Sequence, residues 1–574
     1  MAKLRYFPSP HFLKGSRMAT AADSLNKSTN PGKGMVVAAE GEAARVGRDL
    51  LNAGGNAVDA AVGVGFALAV TFPAAGNLGG GGFLVGSIGR ENSSNESVAL
   101  DFRETAPLAA SETMYSDAHD RGLKEASLTG HLASGVPGSV AGLLHALEKW
   151  GSLPREQVLA PAIRLAREGF VMTDRTHRML NSSRTRERML LYRASADLFY
   201  PGGQTVAAGT QFKQPELANT LENIAKNGRA GFYEGEVADH LLTEMKRGGG
   251  LIRSKDLEDY QPIEREPIRF KTESGYAITM PPPSSGGVCL AQISRLLRDY
   301  KIKNSEVGSA RHLHLLAEAM RRSFADRNQF LGDPDFVDCQ VDRLLAEEYL
   351  DQLASSIDPL KATPSSTLIS DQKAPKESEQ TTHYSVVDRH GNGVAVTTTL
   401  NGSFGSKVLV PGAGFLLNNE MDDFTARPGV PNLFGLIQGK PNAIAPGKRP
   451  LSSMSPTVCL SGGSDSIEEV LAVLGTPGGP TIITNVFQVL FAIDRLQLSP
   501  ELAVGMPKMH HQCLPDRIDV EKGVPSSTRA ALKDMNHRIG TRQSIGDFQL
   551  ISRLYREKWV GIADPRGSGA VSAQ

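Results

Sequence analysis

The chain predicts an α/β fold, and three observations carry that prediction. Short β-branched apolar runs recur between turn-forming residues, as strands do. Longer segments between them place apolar residues at helical spacing. Two threonine- and valine-rich runs, Thr381–Val387 and Val394–Leu400, flank the turn-forming stretch Asp388–Gly393 late in the chain.

In chain order, Gly34–Glu40 reads as a strand and Gly41–Ala53 as a helix closed by Gly54 and Gly55. A helix from Asn56 to Phe72 stops at Pro73. Its apolar run resembles a membrane segment only at first sight, because Asp59, Gly63 and Gly65 interrupt it and it is short of the ~20 residues a span needs. The glycine cluster Gly76–Gly82 leads into the strand Phe83–Ile88, and Ser97–Glu104 is a further strand. Helical patterns cover Gly138–Trp150, Arg155–Glu168, Glu216–Lys226, Glu236–Arg247 and Ala310–Phe330. Val470–Leu474 reads as an apolar strand ending before Gly478 and Gly479.

Composition narrows the function classes. The 62 basic and 62 acidic side chains cancel, so nothing points to nucleic acid or an anionic membrane surface. Cys289, Cys339, Cys459 and Cys513 never approach C-x-x-C spacing, and buried free thiols are expected. Adjacent His510 and His511 cannot easily face one ion from a regular element, so neither metal nor cofactor is expected. Residues 1–33 read as a leader outside the folded unit, with a transit-like segment as the alternative, since no apolar run of the ~7–15 residues of a secretory signal occurs there. From Ser355 to Gln380, prolines, hydroxyl residues and mixed charges predict a mobile surface linker.

The hairpin after that linker is where chemistry is expected. If Val387 opposes Val394, Thr381 lies opposite Leu400, beside Thr399 and Asn401; a one-residue slip changes which of these it faces. A threonine hydroxyl needs a base within reach to act as nucleophile. At a chain terminus it carries its own, because an α-amino group with a pKa of about 7.7–8.0 is substantially neutral near pH 8. Breaking the Gln380–Thr381 bond would therefore create nucleophile and base on one residue. Threonine at a strand start is ordinarily structural, and the hairpin alone does not identify Thr381 as catalytic.

The surrounding motifs do more. Thr381-Thr382-His383-Tyr384-Ser385-Val386 resembles the start of the small subunit of γ-glutamyltransferases, N-terminal nucleophile hydrolases with a four-layer α/β/β/α fold. The resemblance continues through Thr397–Asn401, Asn418–Phe424, Arg449–Pro456, Gly475–Gly479 and Asp564-Pro565-Arg566. Upstream, Gly54–Ala60, Gly76–Gly82 and Asp101–Glu104 resemble the large subunit. It implies a precursor cut at Gln380–Thr381 into a large subunit, 34–380, and a small catalytic subunit, 381–574, which remain together as a heterodimer.

By the same resemblance, Thr381 is the nucleophile and Thr399 orients it. Gly478 and Gly479 offer N–H groups to the oxyanion, where close approach without a Cβ is needed. Arg103, Ser452 and Ser453 take the α-carboxylate of a γ-glutamyl donor, and Asn401, Glu420 and Asp423 take its α-ammonium. Substrates are glutathione-like γ-glutamyl amides, with amino acids, dipeptides or water as acceptors. Family members are usually exported, whereas this leader lacks a secretory core, so compartment stays open.

Two departures from the family pattern stand out. Pro428–Gln438 resembles a lid whose usual tyrosine is replaced by Phe434, and Lys508 stands where arginine is usual. Alternatives are a glutaryl-type cephalosporin acylase, a ligand-binding relative that never matures, and a nucleotide-binding module resting on Gly76–Gly82. The last lacks both the Lys-Ser/Thr ending of a P-loop and G-x-G-x-x-G spacing, so a closely packed turn is expected there instead.

Overall fold

The structure is a computed structural model, and it describes residues 26–30, 33–89, 95–369, 381–425, 439–462 and 468–574. Its centre is a pair of seven-stranded sheets in which every neighbouring pair is antiparallel. The strands are β1 (Asn26–Asn30), β2 (Met35–Ala38), β3 (Gly81–Ile88), β4 (Glu96–Phe102), β5 (Ile263–Arg265), β6 (Ile268–Lys271) and β7 (Gly275–Thr279). They continue with β8 (Thr382–Val387), β9 (Gly393–Thr399), β10 (Thr457–Ser461), β11 (Val470–Gly475), β12 (Gln549–Ser552), β13 (Trp559–Ala563) and β14 (Ala570–Ala573). One sheet runs β14-β2-β8-β9-β3-β4-β5 and the other β1-β13-β12-β11-β10-β7-β6.

Helices cover both outer faces, which makes the four-layer α/β/β/α sandwich. On the first sheet lie α1 (Gly41–Asn52), α2 (Ala57–Thr71) and α3 (Ser139–Trp150). On the second lie α4 (Gly286–Leu297), α5 (Ala310–Phe330) and α6 (Thr481–Asp494). All fifteen residues of α2 are buried, so this is the interior helix expected from its sequence. Its one carboxylate is kept inside by satisfaction: Asp59 accepts from the N–H groups of Asn56, Ser152 and Leu153 and from the Ser152 hydroxyl. Among the described residues, no helix is long and apolar enough to cross a membrane. All four cysteines are free and buried, as expected.

Strand alternation sorts the β8–β9 hairpin between the layers. Tyr384 and Val386 join the core under the helices of the first sheet. The Ser385 hydroxyl points the other way, donating to the Gln549 carbonyl of the second sheet at 3.2 Å, while His383 packs against Gly475. Thr381 shares the phase of His383, so the start of β8 opens onto the space between the sheets.

Three expectations need correction. The hairpin register is one residue tighter: Val387 pairs with Gly393, and Thr382 with Thr398. Asp388 causes this by closing the turn on itself. Its N–H donates to the Asn392 carbonyl, and its carboxylate accepts from the N–H groups of His390 and Asn392 and of Ala57 in α2. Gly393 is thereby released into the ladder, and one further step places Thr381 opposite Thr399 rather than Leu400. Second, Asn26–Asn30, read as part of a leader, is an edge strand paired with Trp559–Ala563. Third, the stretch from Ser355 is not all surface linker. Ile357, Ala362 and Ser365 are buried, and the Ser365 N–H donates to Asp516 across to the C-terminal part of the chain. The rest of that linker, 370–380, with Gln380, lies outside the described residues, as do Phe434 and the lid.

Candidate active site

At the mouth of the inter-sheet space, Thr381, Thr399, Asn401, Arg103, Glu420 and Asp423 line one pocket together with Ser452, Ser453 and Gly479. Two residues not singled out from sequence also matter there: Arg327, which lines the wall, and Glu104 just behind it. The free space is about 20 Å³, on the scale of one or two waters.

The Thr381 end of the pocket is built by β8 and β9. Thr381 is 6 % exposed, and the Thr399 hydroxyl oxygen accepts from the Asn401 N–H at 2.7 Å. Asn401 takes a left-handed backbone (φ 70°), which asparagine tolerates and which ends the strand sharply. Its side-chain N–H donates to the Asn419 carbonyl, leaving the amide oxygen buried without a hydrogen-bond donor.

The loop Gly76–Gly82 supports this end rather than holding a ligand. A Cβ on Gly80 would sit 2.1 Å from the Thr399 carbonyl oxygen, so backbone fills the space a phosphate would require. Asn77 ties the loop to β9, donating to the Thr398 hydroxyl and the Thr399 carbonyl. Asn418 does the same from the opposite side, donating to the carbonyls of Gly79 and Gly135 and accepting from the Glu420 N–H. Asn77 and Asn418 were visible only as members of motifs; nothing in their spacing marks them as hubs.

The second sheet contributes Gly478 and Gly479. Both have positive φ, 132° and 54°, and they lead directly into the N-terminus of α6. A Cβ on Gly478 would meet the Thr481 hydroxyl at 2.4 Å. Among the described residues neither glycine N–H meets a backbone acceptor, and the positive end of a buried fourteen-residue helix stands behind them.

The charged wall is the least ordinary part. Arg103, 1 % exposed at the end of β4, donates to Glu420, to Asp423 at 2.5 Å, and to the Pro450 carbonyl at 3.2 Å. Burial alone would lower its pKa, but Glu420, Asp423 and Glu104 outweigh that and raise it. So the groups expected to hold opposite ends of a ligand hold each other in this structure. Glu104 lies 4.0 Å from Arg103 with both oxygens buried and without donors, and burial pushes its carboxyl up to about 7. Burial raises Glu420 as well, and its second oxygen meets no donor. Opposite, the Ser452 hydroxyl accepts from the Met454 N–H, and the Ser453 hydroxyl accepts from Arg327. Each is left a proton to offer into the pocket.

Lys508 and the adjacent histidines are explained by their local partners. Lys508 is fully buried, its ammonium capping the carbonyls of Ala503, Val504 and Met506 at the end of a short helix. Arg566 supplies the planar fork beside it, binding Glu521 bidentately. His510 bonds Thr484 and Gln512, while the backbone N–H of Cys513 donates to His511. Metal-like spacing occurs among the described residues at His314, Glu318 and His537. There Arg321 and Arg322 already bind the Glu318 carboxylate, and two guanidinium groups oppose a further cation.

A four-layer sandwich whose inter-sheet pocket opens at the first residue of an internal strand is the architecture of an N-terminal nucleophile hydrolase. The comparisons carry the assignment further. A family model described as Gamma-glutamyltranspeptidase matches residues 43–574. The chain is 42% identical over 541 residues to the glutathione hydrolase proenzyme of Escherichia coli (strain K12), covering 94% of this chain and 92% of that one. It is 43% identical over 568 residues to the glutathione hydrolase proenzyme of Pseudomonas aeruginosa, covering 97% of each. Among solved structures, Helicobacter pylori gamma-glutamyltranspeptidase matches at 41% identity and TM-score 0.54, over 57% of this chain and 92% of that one. Cephalosporin acylase from Bacillus halodurans matches at 25% identity and TM-score 0.82, over 100% of this chain and 99% of that one. The chain belongs to the gamma-glutamyltranspeptidase family.

Proposed function

We propose that the protein is a self-maturing γ-glutamyltransferase and glutathione hydrolase with Thr381 as nucleophile. In maturation the Thr381 hydroxyl attacks the Gln380 carbonyl, the C–N bond breaks to an ester, and the departing nitrogen becomes the Thr381 α-amine. Water then hydrolyses the ester, freeing the hydroxyl and ending the large subunit at Gln380 in a carboxylate. The 381–574 subunit begins with nucleophile and base on one residue.

In turnover that amine accepts the hydroxyl proton as oxygen attacks the γ-carbonyl. The oxyanion draws on the Gly478 and Gly479 N–H groups. The amide C–N bond breaks, the leaving amine takes the proton, and water or an acceptor amine resolves the γ-glutamyl ester. Thr399 orients Thr381. Arg103, Ser452 and Ser453 receive the donor carboxylate, while Asn401, Glu420 and Asp423 receive its ammonium. Binding must part the Arg103–Glu420 contact, exchanging an internal ion pair for two with the substrate.

The observation that carries this reading is the pair of buried acceptors without donors, the Asn401 amide oxygen and a Glu420 carboxylate oxygen, beside Thr381. An ammonium satisfies them; a glutaryl group has nothing to offer them. The full-length likeness to a cephalosporin acylase shows a shared fold and does not by itself choose between a γ-glutamyl and a glutaryl donor. Turnover of γ-glutamyl and glutaryl anilides decides between them. The γ-glutamyl compound should be preferred by about tenfold or more, and equal or reversed preference would overturn the proposal.

A further inference from the structure

Arg327 lies on α5 and is 1 % exposed, yet among the described residues its hydrogen bonds all go to neutral groups. It donates from Nε to the Ser285 hydroxyl at 2.8 Å, from Nη1 to the Asn328 side chain at 3.1 Å and from Nη2 to the Ser453 hydroxyl at 3.2 Å. Ser285 in turn donates from both its N–H and its hydroxyl to the Ser452 carbonyl. The guanidinium therefore braces the Ser452–Ser453 turn from two sides while lining the same pocket as Arg103 and Thr381. A buried cation without a carboxylate partner is costly unless something compensates it when the protein works.

We infer that Arg327 is a positioning residue for the donor's α-carboxylate, aiming the Ser453 hydroxyl proton into the pocket and supplying a second positive charge behind it. This rests on the γ-glutamyl reading above. Because Ser453 accepts from Arg327, its own proton is directed away from the guanidinium, toward the space a carboxylate would fill. Among the described residues no acceptor takes that proton. Burial lowers the Arg327 pKa to about 10, which still leaves it charged at neutral pH.

Three chromogenic anilides test this: γ-glutamyl, glutaryl (carboxylate without ammonium) and 4-aminobutyryl (ammonium without carboxylate). In Arg327→Gln, kcat/KM should fall about tenfold or more for the two carboxylate-bearing anilides, chiefly through KM, and stay unchanged for the 4-aminobutyryl compound. Arg327→Lys, which keeps charge but not the fork, should recover part of the loss. An equal fall on all three anilides would reduce Arg327 to a structural brace and overturn the inference, as would no fall on any. If Arg327→Gln fails to mature, Arg327→Lys carries the same comparison, and loss confined to the carboxylate-bearing pair is again required. A wild-type enzyme that ignores γ-glutamyl anilide would instead overturn the function proposed above, independently of how Arg327 variants rank.

Discussion

Two buried ion clusters in this molecule use the same residue types to opposite ends. Around Glu318 every charge is answered. Its carboxylate takes Arg321, Arg322 and the Thr363 N–H; Arg322 also binds Ser356 and Thr363, and Arg321 reaches Ser365 and Asp516. That cluster pins 356–365 against the C-terminal part of the chain. Around Arg103 three carboxyls crowd one guanidinium, Glu104 has no donor for either oxygen, and the nearby Asn401 oxygen has none. Buried polar atoms in native proteins are nearly always paired, and the unpaired set beside Thr381 is the one that the proposed substrate would complete. Burial and charge alone do not distinguish these two clusters; their degree of satisfaction does.

The comparison can be broken at several points. The largest effect is expected at Thr381 itself: Thr381→Ala should lower turnover by about a thousandfold or more and leave one uncut chain in the intact mass spectrum. A cut and active variant would remove the proposed nucleophile. Next, Arg103→Gln should cost about a hundredfold in kcat/KM for γ-glutamyl anilide and far less for the 4-aminobutyryl anilide. Uniform loss would mean that Arg103, like Arg322, is only structural.

On the other side of the comparison, Arg322→Met leaves Glu318 short of one partner and should destabilise the fold by about 3–5 kcal/mol, read as a lower Tm with KM unmoved. A changed KM would tie that cluster to the site.

The smallest effect concerns Glu104. A carboxyl raised from 4.5 to about 7 by burial binds its proton more tightly folded than unfolded. Its contribution is therefore fully present below pH 4.5 and lost as pH rises through about 7. Thermal melts of wild type should decline by about a few degrees across that window, and Glu104→Gln should flatten the decline. Parallel profiles would show that Glu104 is ionised throughout.

Much of this was legible from sequence because it depends on local periodicity. The run Ala57–Phe72, apolar or small but for Asp59 and Thr71 and stopped by Pro73, reads better as an interior helix than as a membrane span, and Ala310–Phe330 has the bounds its pattern predicts. The hairpin was legible too, but not its register. That was decided by Asp388, whose carboxylate closes the turn while also binding the N-terminus of α2, more than 300 positions upstream. For the site, motif order pointed to Thr381, Arg103, Glu420, Asp423 and the glycine pair. Arg327 and Glu104 escaped because a cation inside an amphipathic helix and an acid after an arginine look like solvated surface until the fold buries them.

The chain by itself determined the interior helix, the long amphipathic helices and the hairpin strands, that one threonine follows a stretch rich in prolines and hydroxyl residues, and that both signs of charge lie in motifs around it. Only the tertiary structure decided that Arg103 faces Glu420 and Asp423, that Ser453 is held by Arg327, and that burial raises the Glu104 and Glu420 carboxyls. The physical reason is range. Helix and strand patterns are set by neighbours a few positions apart, whereas hydrogen-bond satisfaction and pKa depend on which groups the two sheets and their helices bring together and seal from water.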